Sequence, residues 1–320
     1  MTVDMMKTLV LYPEKDQEQR VTIEERPVPV PELGEVLVRV HATTVCGRDK
    51  RLFSGGELGW RMEKNRKEYG AISGVEFSGV IATDGNDFAE GDAVYGCVDL
   101  SGTSFAHAEY VRVPEVTLVA KPNSLSFEEA ATAPIGCMAA IRALQEIADI
   151  QRGQRLLMSG ATGGIGVYAL QLAKHMGAHI SAQGRAWHEA DLLRMGADRF
   201  IEYTQEEILH SDETFDVVFD IAAVWNFDDI VPHLTSKGLY ITTHPERDII
   251  GLISSVFSAK KSKYLHITEG DRDLLMRAAA FFEGNEWEPI VGSVSSFEEA
   301  AKEFIDGERK VFGRRVLKLV

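Results

Sequence analysis

Over the first third of the chain, apolar positions alternate with polar or small ones. VTIEERPVPVPELGEVLVRVHATTV, from Val21 to Val45, holds two such runs joined by a Pro-rich link. GVEFSGVIATDGNDFAEGDAVYGCV, from Gly74 to Val98, continues the pattern, and HAEYVRVP adds a last run stopped by Pro114. A period of two, broken by Gly, Asp and Asn, predicts short antiparallel strands with one buried face each. Near Ser126 the period lengthens. SFEEAATAPIGCMAAIRALQEIADI is Ala-rich and spaced for a helix, and Ser126 with Glu129 makes a capping-box start. Strands and helices then alternate: RLLMSG, GIGVYALQLAKHMGA, HISAQG, AWHEADLLRMGA, RFIEY, FDVVFDIA, NFDDIVPHLTS and GLYITT. That alternation predicts a parallel sheet covered by helices on both faces. The tail returns to a mixture, with helices in DRDLLMRAAAFFEGN and SSFEEAAKEFIDG and a closing strand in RRVLKLV.

The pattern therefore predicts an α/β protein of two parts. A β-rich domain spans residues 1–122 and is completed by 270–320. An inserted α/β domain spans 123–269. Composition narrows the function classes. With 49 acidic and 34 basic residues the net charge is −15. Nucleic acids and anionic membrane surfaces need clustered Lys and Arg, so neither is an expected partner. The three Cys residues are an odd number in a 320-residue chain, which argues against a disulfide framework. The N-terminal MTVDMMKTLVLYPEKD lacks the apolar core of a signal peptide, and no run reaches the ~18 apolar residues of a membrane span. A reducing cytoplasm is the expected setting.

RLLMSGATGGIGVYALQLAK carries the strongest chemical signal. An apolar strand ends in Gly160, and Thr162, Gly163, Gly164, Ile165 and Gly166 lead into a helix. Gly160 allows a tight turn, the middle glycines let the backbone approach a pyrophosphate, and Gly166 permits close helix–strand packing. The strand before and helix after make this a dinucleotide site rather than an ordinary turn. An NAD site wants a carboxylate at the end of the second strand to accept from the ribose 2′-hydroxyl. That stretch is HISAQGRAW, with Gly184 and then Arg185, and no carboxylate before Glu189. A guanidinium there suits a 2′-phosphate, so NADP(H) is the expected cofactor. His188 is a candidate helper, though a surface helix His is the plainer reading.

ELGEVLVRVHATTVCGRD, GVEFSGVIATDGNDFAEGDAVYG, HAEYVRVP, APIGCMAAIRAL and SGATGGIGVYALQLAKHMGA, in this order, together resemble the medium-chain dehydrogenase/reductase superfamily. The resemblance runs to the closing FGRRVLKLV. It implies a GroES-like catalytic domain, a Rossmann domain, a homodimer, and hydride transfer from a nicotinamide. It also places Tyr203 at the adenosine end, and Thr243 and His244 near the nicotinamide.

The superfamily has a zinc alcohol dehydrogenase branch and zinc-free quinone and enone reductases. In the zinc branch the first ligand is a Cys in a VCGSD-like segment, which Cys46 matches. The second is the His of Gly-His-Glu, but here the segment is Gly74-Val75-Glu76. The third is often a Cys, matched by Cys137. The proton-relay Ser or Thr is replaced by Arg48. Two thiolates hold zinc poorly without the imidazole, so no metal is expected. A Cys46, Glu76, Cys137 set is the zinc alternative. The zinc-free branch is not matched cleanly either, since the Asn before the Asp and the Tyr after it are missing around Asp49.

The expected activity is NADPH-dependent reduction of a small carbonyl, enone or quinone. Arg48, His107 and Cys46 are the candidate catalytic residues, with Arg51 a further cation. Arg48 would stabilise a developing oxyanion, and His107 would donate a proton near neutral pH. Asp49 is read as a loop organiser. A cofactor-binding sensor without turnover is the alternative from another class. RMEKNRKEYG, after Trp60, is a basic stretch that would suit an anionic substrate.

Overall fold

The structure is a computed structural model and describes residues 4–13, 15–16, 19–54, 70–99, 104–203, 208, 211–244, 248–267, 270–305 and 311–320. The chain divides into two compact units. The first comprises Met1–Ile135, Thr268–Glu283 and Pro289–Val320; the second comprises Gly136–Ile267 and Gly284–Glu288.

The first unit opens with β1 (Met5–Leu11), β2 (Val21–Pro27) and β3 (Glu35–Val45), followed by the short helix α1 (Gly47–Phe53). Then come β4 (Ala71–Ile72), β5 (Glu76–Ile81), β6 (Ala93–Cys97), β7 (Tyr110–Pro114), β8 (Leu118–Ala120) and α2 (Phe127–Ala131). In β3, Val36, Val38 and Val40 recur at every second position and join one buried cluster with Val94, Val111 and Leu118. The period of two therefore marks a real core face.

The capping box at α2 forms as its spacing predicts: Ser126 Oγ accepts from the Glu129 amide at 3.1 Å, and Glu129 Oε2 accepts from the Ser126 amide at 2.8 Å. The helix belongs to the first unit, however, and not to the inserted domain. Ala131 packs with Ala42 and Val316, and Phe127 lies against the same cluster. The Ala-rich stretch is also not one helix. Pro134 cannot continue the preceding turn, so α3 (Pro134–Ile141) starts afresh there and runs into a π-helical turn at Arg142–Ile147.

The second unit holds β9 (Arg155–Ser159), α4 (Gly166–Met176), β10 (His179–Gly184), α5 (Glu189–Met195), β11 (Arg199–Glu202), β12 (Phe215–Asp220), α6 (Phe227–Ile230), β13 (Leu234–Thr242), α7 (Ile249–Ser254) and β14 (Lys261–Tyr264). All neighbours in its six-stranded sheet are parallel, in the order β11-β10-β9-β12-β13-β14. The order reverses between β9 and β12. In such sheets ligands settle beyond the carboxyl ends of the strands at that reversal. Leu157 and Val218, on these two central strands, are fully buried with Ile201 and Tyr240.

The chain returns to the first unit through α8 (Arg272–Glu283), β15 (Val291–Ser296), α9 (Ala300–Ile305) and β16 (Arg314–Lys318). The large sheet there runs β15-β16-β3-β5-β6-β8, with β7 also on β3, and β2-β1-β4 form a small second sheet. Among the described residues, no helix is long and apolar enough to cross a membrane.

Leu157→Ala should lower unfolding free energy by about 2–5 kcal/mol, because the site is close-packed on every side. Urea denaturation reads the change directly.

Candidate active site

The glycine loop takes its shape from contacts that only glycine tolerates. Gly160 lies in the left-handed region at φ +63°. A Cβ on Gly166 would strike the Gly160 carbonyl and the Ala161 backbone, so the start of α4 presses directly on the end of β9. The Gly163 amide donates to the Gly160 carbonyl at 3.1 Å, and the Val167 amide donates to Gly163 at 3.0 Å. A Cβ on Gly136, in α3, would meet the Gly164 carbonyl, so the loop is backed from behind. Ile165 is the N-cap of α4. A Cβ on Gly184 would come within 3.2 Å of Thr162 Cγ2. The loop and the end of β10 are therefore one surface, and the amides of a long helix face it. These residues fit a dinucleotide pyrophosphate.

The tip of β10 is equally defined. The Tyr203 amide donates to the Gly184 carbonyl at 2.9 Å, which carries its ring to the tip of β10. The Arg185 guanidinium lies over that ring, with Cζ 4.5 Å from the centroid. It also lies over Trp187, at 5.1 Å. No described carboxylate forms an ion pair with Arg185. His188 is turned to other work: its ring is buried, and Nδ1 lies 3.4 Å from Asp191 Oδ2.

A buried network that the sequence did not announce organises the same strand ends. Asp220, the last residue of β12, is fully buried. Its Oδ1 accepts from the Ser159 hydroxyl and from the Val224 amide, the latter at 3.0 Å. Its Oδ2 accepts from the Trp225 amide at 3.0 Å and from the Tyr240 hydroxyl at 2.9 Å. Ser159 Oγ in turn accepts from the Ala222 amide at 3.0 Å. Burial, and then the charge of Asp220, push the Tyr240 phenol far up, so it stays a donor. The two amides pin a turn in which Ala223 sits at φ +53°, a region costly for any residue with a Cβ. The Thr243 hydroxyl donates to the Ile221 carbonyl in that turn at 3.0 Å, so Thr243 is held beside the network. A charged residue closing the apolar run FDVVF is the one sequence signal, because a buried carboxylate must find partners.

The first unit carries the other candidates. Asp49 is fully buried and does organise the loop, accepting from the Cys46 amide at 2.7 Å and the Gly74 amide at 3.1 Å. Cys46 packs in an apolar cluster with Val75, Phe77 and Val98. Burial, then the nearby charge of Asp49, push its thiol far up, outweighing Arg314. The thiolate that a nucleophile or metal ligand requires is thereby disfavoured. Glu76 is fully engaged: Oε2 accepts from Thr44 at 2.9 Å and pairs with Arg314 at 2.9 Å, while Oε1 accepts from the Ile135 amide at 2.9 Å. Cys137 lies fully buried on α3 in the second unit. No group of three or more His, Cys, Asp or Glu among the described residues has the arrangement of a metal site. With Val75 where an imidazole would stand and Glu76 committed to a guanidinium, these residues do not fit a zinc ion.

His107 also departs from the expectation of a proton donor. It is 0% exposed, and its Nδ1 accepts from Ser73 at 2.8 Å while Nε2–H donates to the Thr44 carbonyl at 3.0 Å. A Cβ on Gly74 would strike its ring. Burial lowers its pKa, so the ring is a neutral strut with both nitrogens spent. Arg48 is different. Its Nη1 is buried with no hydrogen-bond partner, and the guanidinium lies 5.7 Å from the Phe105 ring centroid. Arg51 is exposed. Trp60 and the basic stretch at 61–69 lie outside the described residues.

A family model for the alcohol dehydrogenase GroES-like domain matches residues 32–123, and one for zinc-binding dehydrogenases matches 195–308. The chain is 27% identical over 285 residues to an NADPH-dependent alkenal/one oxidoreductase of Arabidopsis thaliana, covering 85% of this chain and 69% of that one. It is 26% identical over 292 residues to the human quinone oxidoreductase, covering 86% and 85%. A tomato (Solanum lycopersicum) 2-methylene-furan-3-one reductase is 32% identical over 208 residues, covering 61% of this chain and 52% of the relative. The matched stretch thus spans about half the length of that relative and of the mouse NAD(P)H oxidoreductase, also 52%. In fold, the chain superposes on a quinone oxidoreductase from Coxiella burnetii with a TM-score of 0.87 at 21% identity, over 99% of this chain and 100% of that one.

Asp220→Ala should cost about 3–5 kcal/mol of stability, because it leaves buried amides and hydroxyls without an acceptor. Ala223→Gly should instead raise stability by about 1 kcal/mol by relieving the left-handed turn. Paired urea titrations of the two variants check both signs.

Proposed function

The chain belongs to the medium-chain dehydrogenase/reductase superfamily as a quinone oxidoreductase-like member, and from that premise we propose that it is an NADPH-dependent reductase of quinones or α,β-unsaturated carbonyls that works without catalytic zinc. The observation that carries the reading is Arg48 Nη1, buried and unpartnered in the unit where the zinc branch keeps its metal. A buried N–H without an acceptor is costly, and a substrate oxygen is the partner it lacks.

Gly160, Thr162 to Gly166 and Gly184 would hold the pyrophosphate. Arg185 and Tyr203 would hold the adenosine end, and Thr243 would lie toward the nicotinamide. When bound, NADPH supplies a hydride to the electron-poor carbon of the substrate. Arg48 then faces the negative charge that grows on the substrate oxygen. A fixed guanidinium in a water-poor setting stabilises that charge without rearranging. It keeps its own proton, because its pKa lies too high for it to act as an acid. His107 cannot serve while both its nitrogens are occupied, so the proton that completes an enol or hydroquinone comes from water. The absence of a carboxylate at the end of β10, with Arg185 in its place, supports NADPH over NADH.

Two measurements test the reading. Arg48→Met should lower kcat/KM for a simple enone by about a hundredfold while leaving NADPH affinity within about twofold, with partial recovery in Arg48→Lys. An unchanged kcat/KM would remove Arg48 from the chemistry. Elemental mass spectrometry of EDTA-washed protein should find far less than one zinc per chain, with NADPH oxidation intact. One zinc per chain, lost in Cys46→Ala, would restore the alcohol dehydrogenase reading. NADPH binding without turnover of any enone or quinone would favour a sensor.

A further inference from the structure

Two large aromatic rings stand in solvent at one corner of the second unit. Trp187 is 45% exposed and Tyr203 is 42% exposed. Both meet the same cation, Arg185. We propose that Trp187 is a positioning residue for the 2′-phosphate: with Tyr203 it forms an aromatic rest that holds the Arg185 guanidinium ready for a phosphate monoester on the ribose. This rests on the NADP(H) reading above.

The argument for Trp187 is one of order. An Arg on an exposed loop has four flexible bonds, and binding must freeze them. Ring faces hold a guanidinium by its plane and leave its N–H edge unused. That edge is what grips a phosphate at two points. An ion pair would fix the side chain too, but it would consume those donors; no described carboxylate takes them. The rings are themselves anchored. Tyr203 is tied by its amide to Gly184, at 2.9 Å. Trp187 sits in the one-turn helix Ala186–His188, its ring edge-on to His188 at 6.2 Å. His188 is buried and lies 3.4 Å from Asp191. The support thus runs from Asp191 through His188 and Trp187 to Arg185. The ionisable groups on this corner include Arg185, His188, Glu189, Asp191 and Glu202. Glu202 Oε2 is buried with no hydrogen-bond partner.

Isothermal titration with 2′,5′-ADP and 5′-AMP separates the possibilities, since the two probes differ only in the 2′-phosphate. The wild type should bind 2′,5′-ADP at least about tenfold more tightly than 5′-AMP. Trp187→Ala should weaken 2′,5′-ADP by about threefold to tenfold and change 5′-AMP by less than about twofold. Trp187→Phe should recover most of the loss. Unchanged thermal melting of the variants confirms that they are folded. An equal loss for both probes would make Trp187 a wall for the adenosine and overturn the proposal, as would no loss at all. A wild type that prefers neither probe would overturn the NADP(H) reading itself.

Discussion

One buried carboxylate, Asp220, fixes the carboxyl ends of three neighbouring strands. It takes a hydroxyl from β9, another from β13, and two amides from the turn that follows its own strand. A carboxylate with no water around it is tolerable only when its lone pairs are filled. Here the filling ties the switch between β9 and β12 into one rigid corner, and it holds Ala223 in a conformation that no Cβ-bearing residue chooses unaided. The strand ends beside the glycine loop owe their placement to this knot.

The first unit solves the same problem with an ion pair. Glu76 of β5 meets Arg314 of β16, with Thr44 of β3 and the Ile135 amide completing its shell. The carboxylate that could have ligated a metal is thereby spent on joining three strands and the start of α3. The identity of its neighbour matters as much: Val75 completes an apolar cluster around Cys46 where an imidazole would have drawn a cation. Burial keeps Cys46 protonated, and Glu76 stays committed to Arg314.

The parts legible in the sequence are those set by local geometry. The glycines from Gly160 to Gly166 mark a turn whose contacts exclude any side chain. The Gly-Arg pair after HISAQ marks the end of β10, and the alternation in β3 marks a core face. What escaped reading depends on partners far along the chain. Asp220 looks like any acid at the end of a strand until Ser159 and Tyr240 arrive from 61 and 20 residues away. His107 reads as a proton donor until Ser73 and the Thr44 carbonyl claim both nitrogens. The domain boundary slipped because α2 has a helix's local signals but packs by its apolar face on Ala42 and Val316. Trp187 reads as an ordinary surface aromatic, since periodicity says nothing of a cation folded over it.

The contact between Gly166 and the Gly160 carbonyl has an entropic side. A loop packed that tightly, backed by Gly136 and seated on the end of β9, has already surrendered its freedom when the chain folds. A ligand meeting it has little disorder left to remove, so its contacts are returned almost whole as affinity. Association there is an encounter with a finished surface.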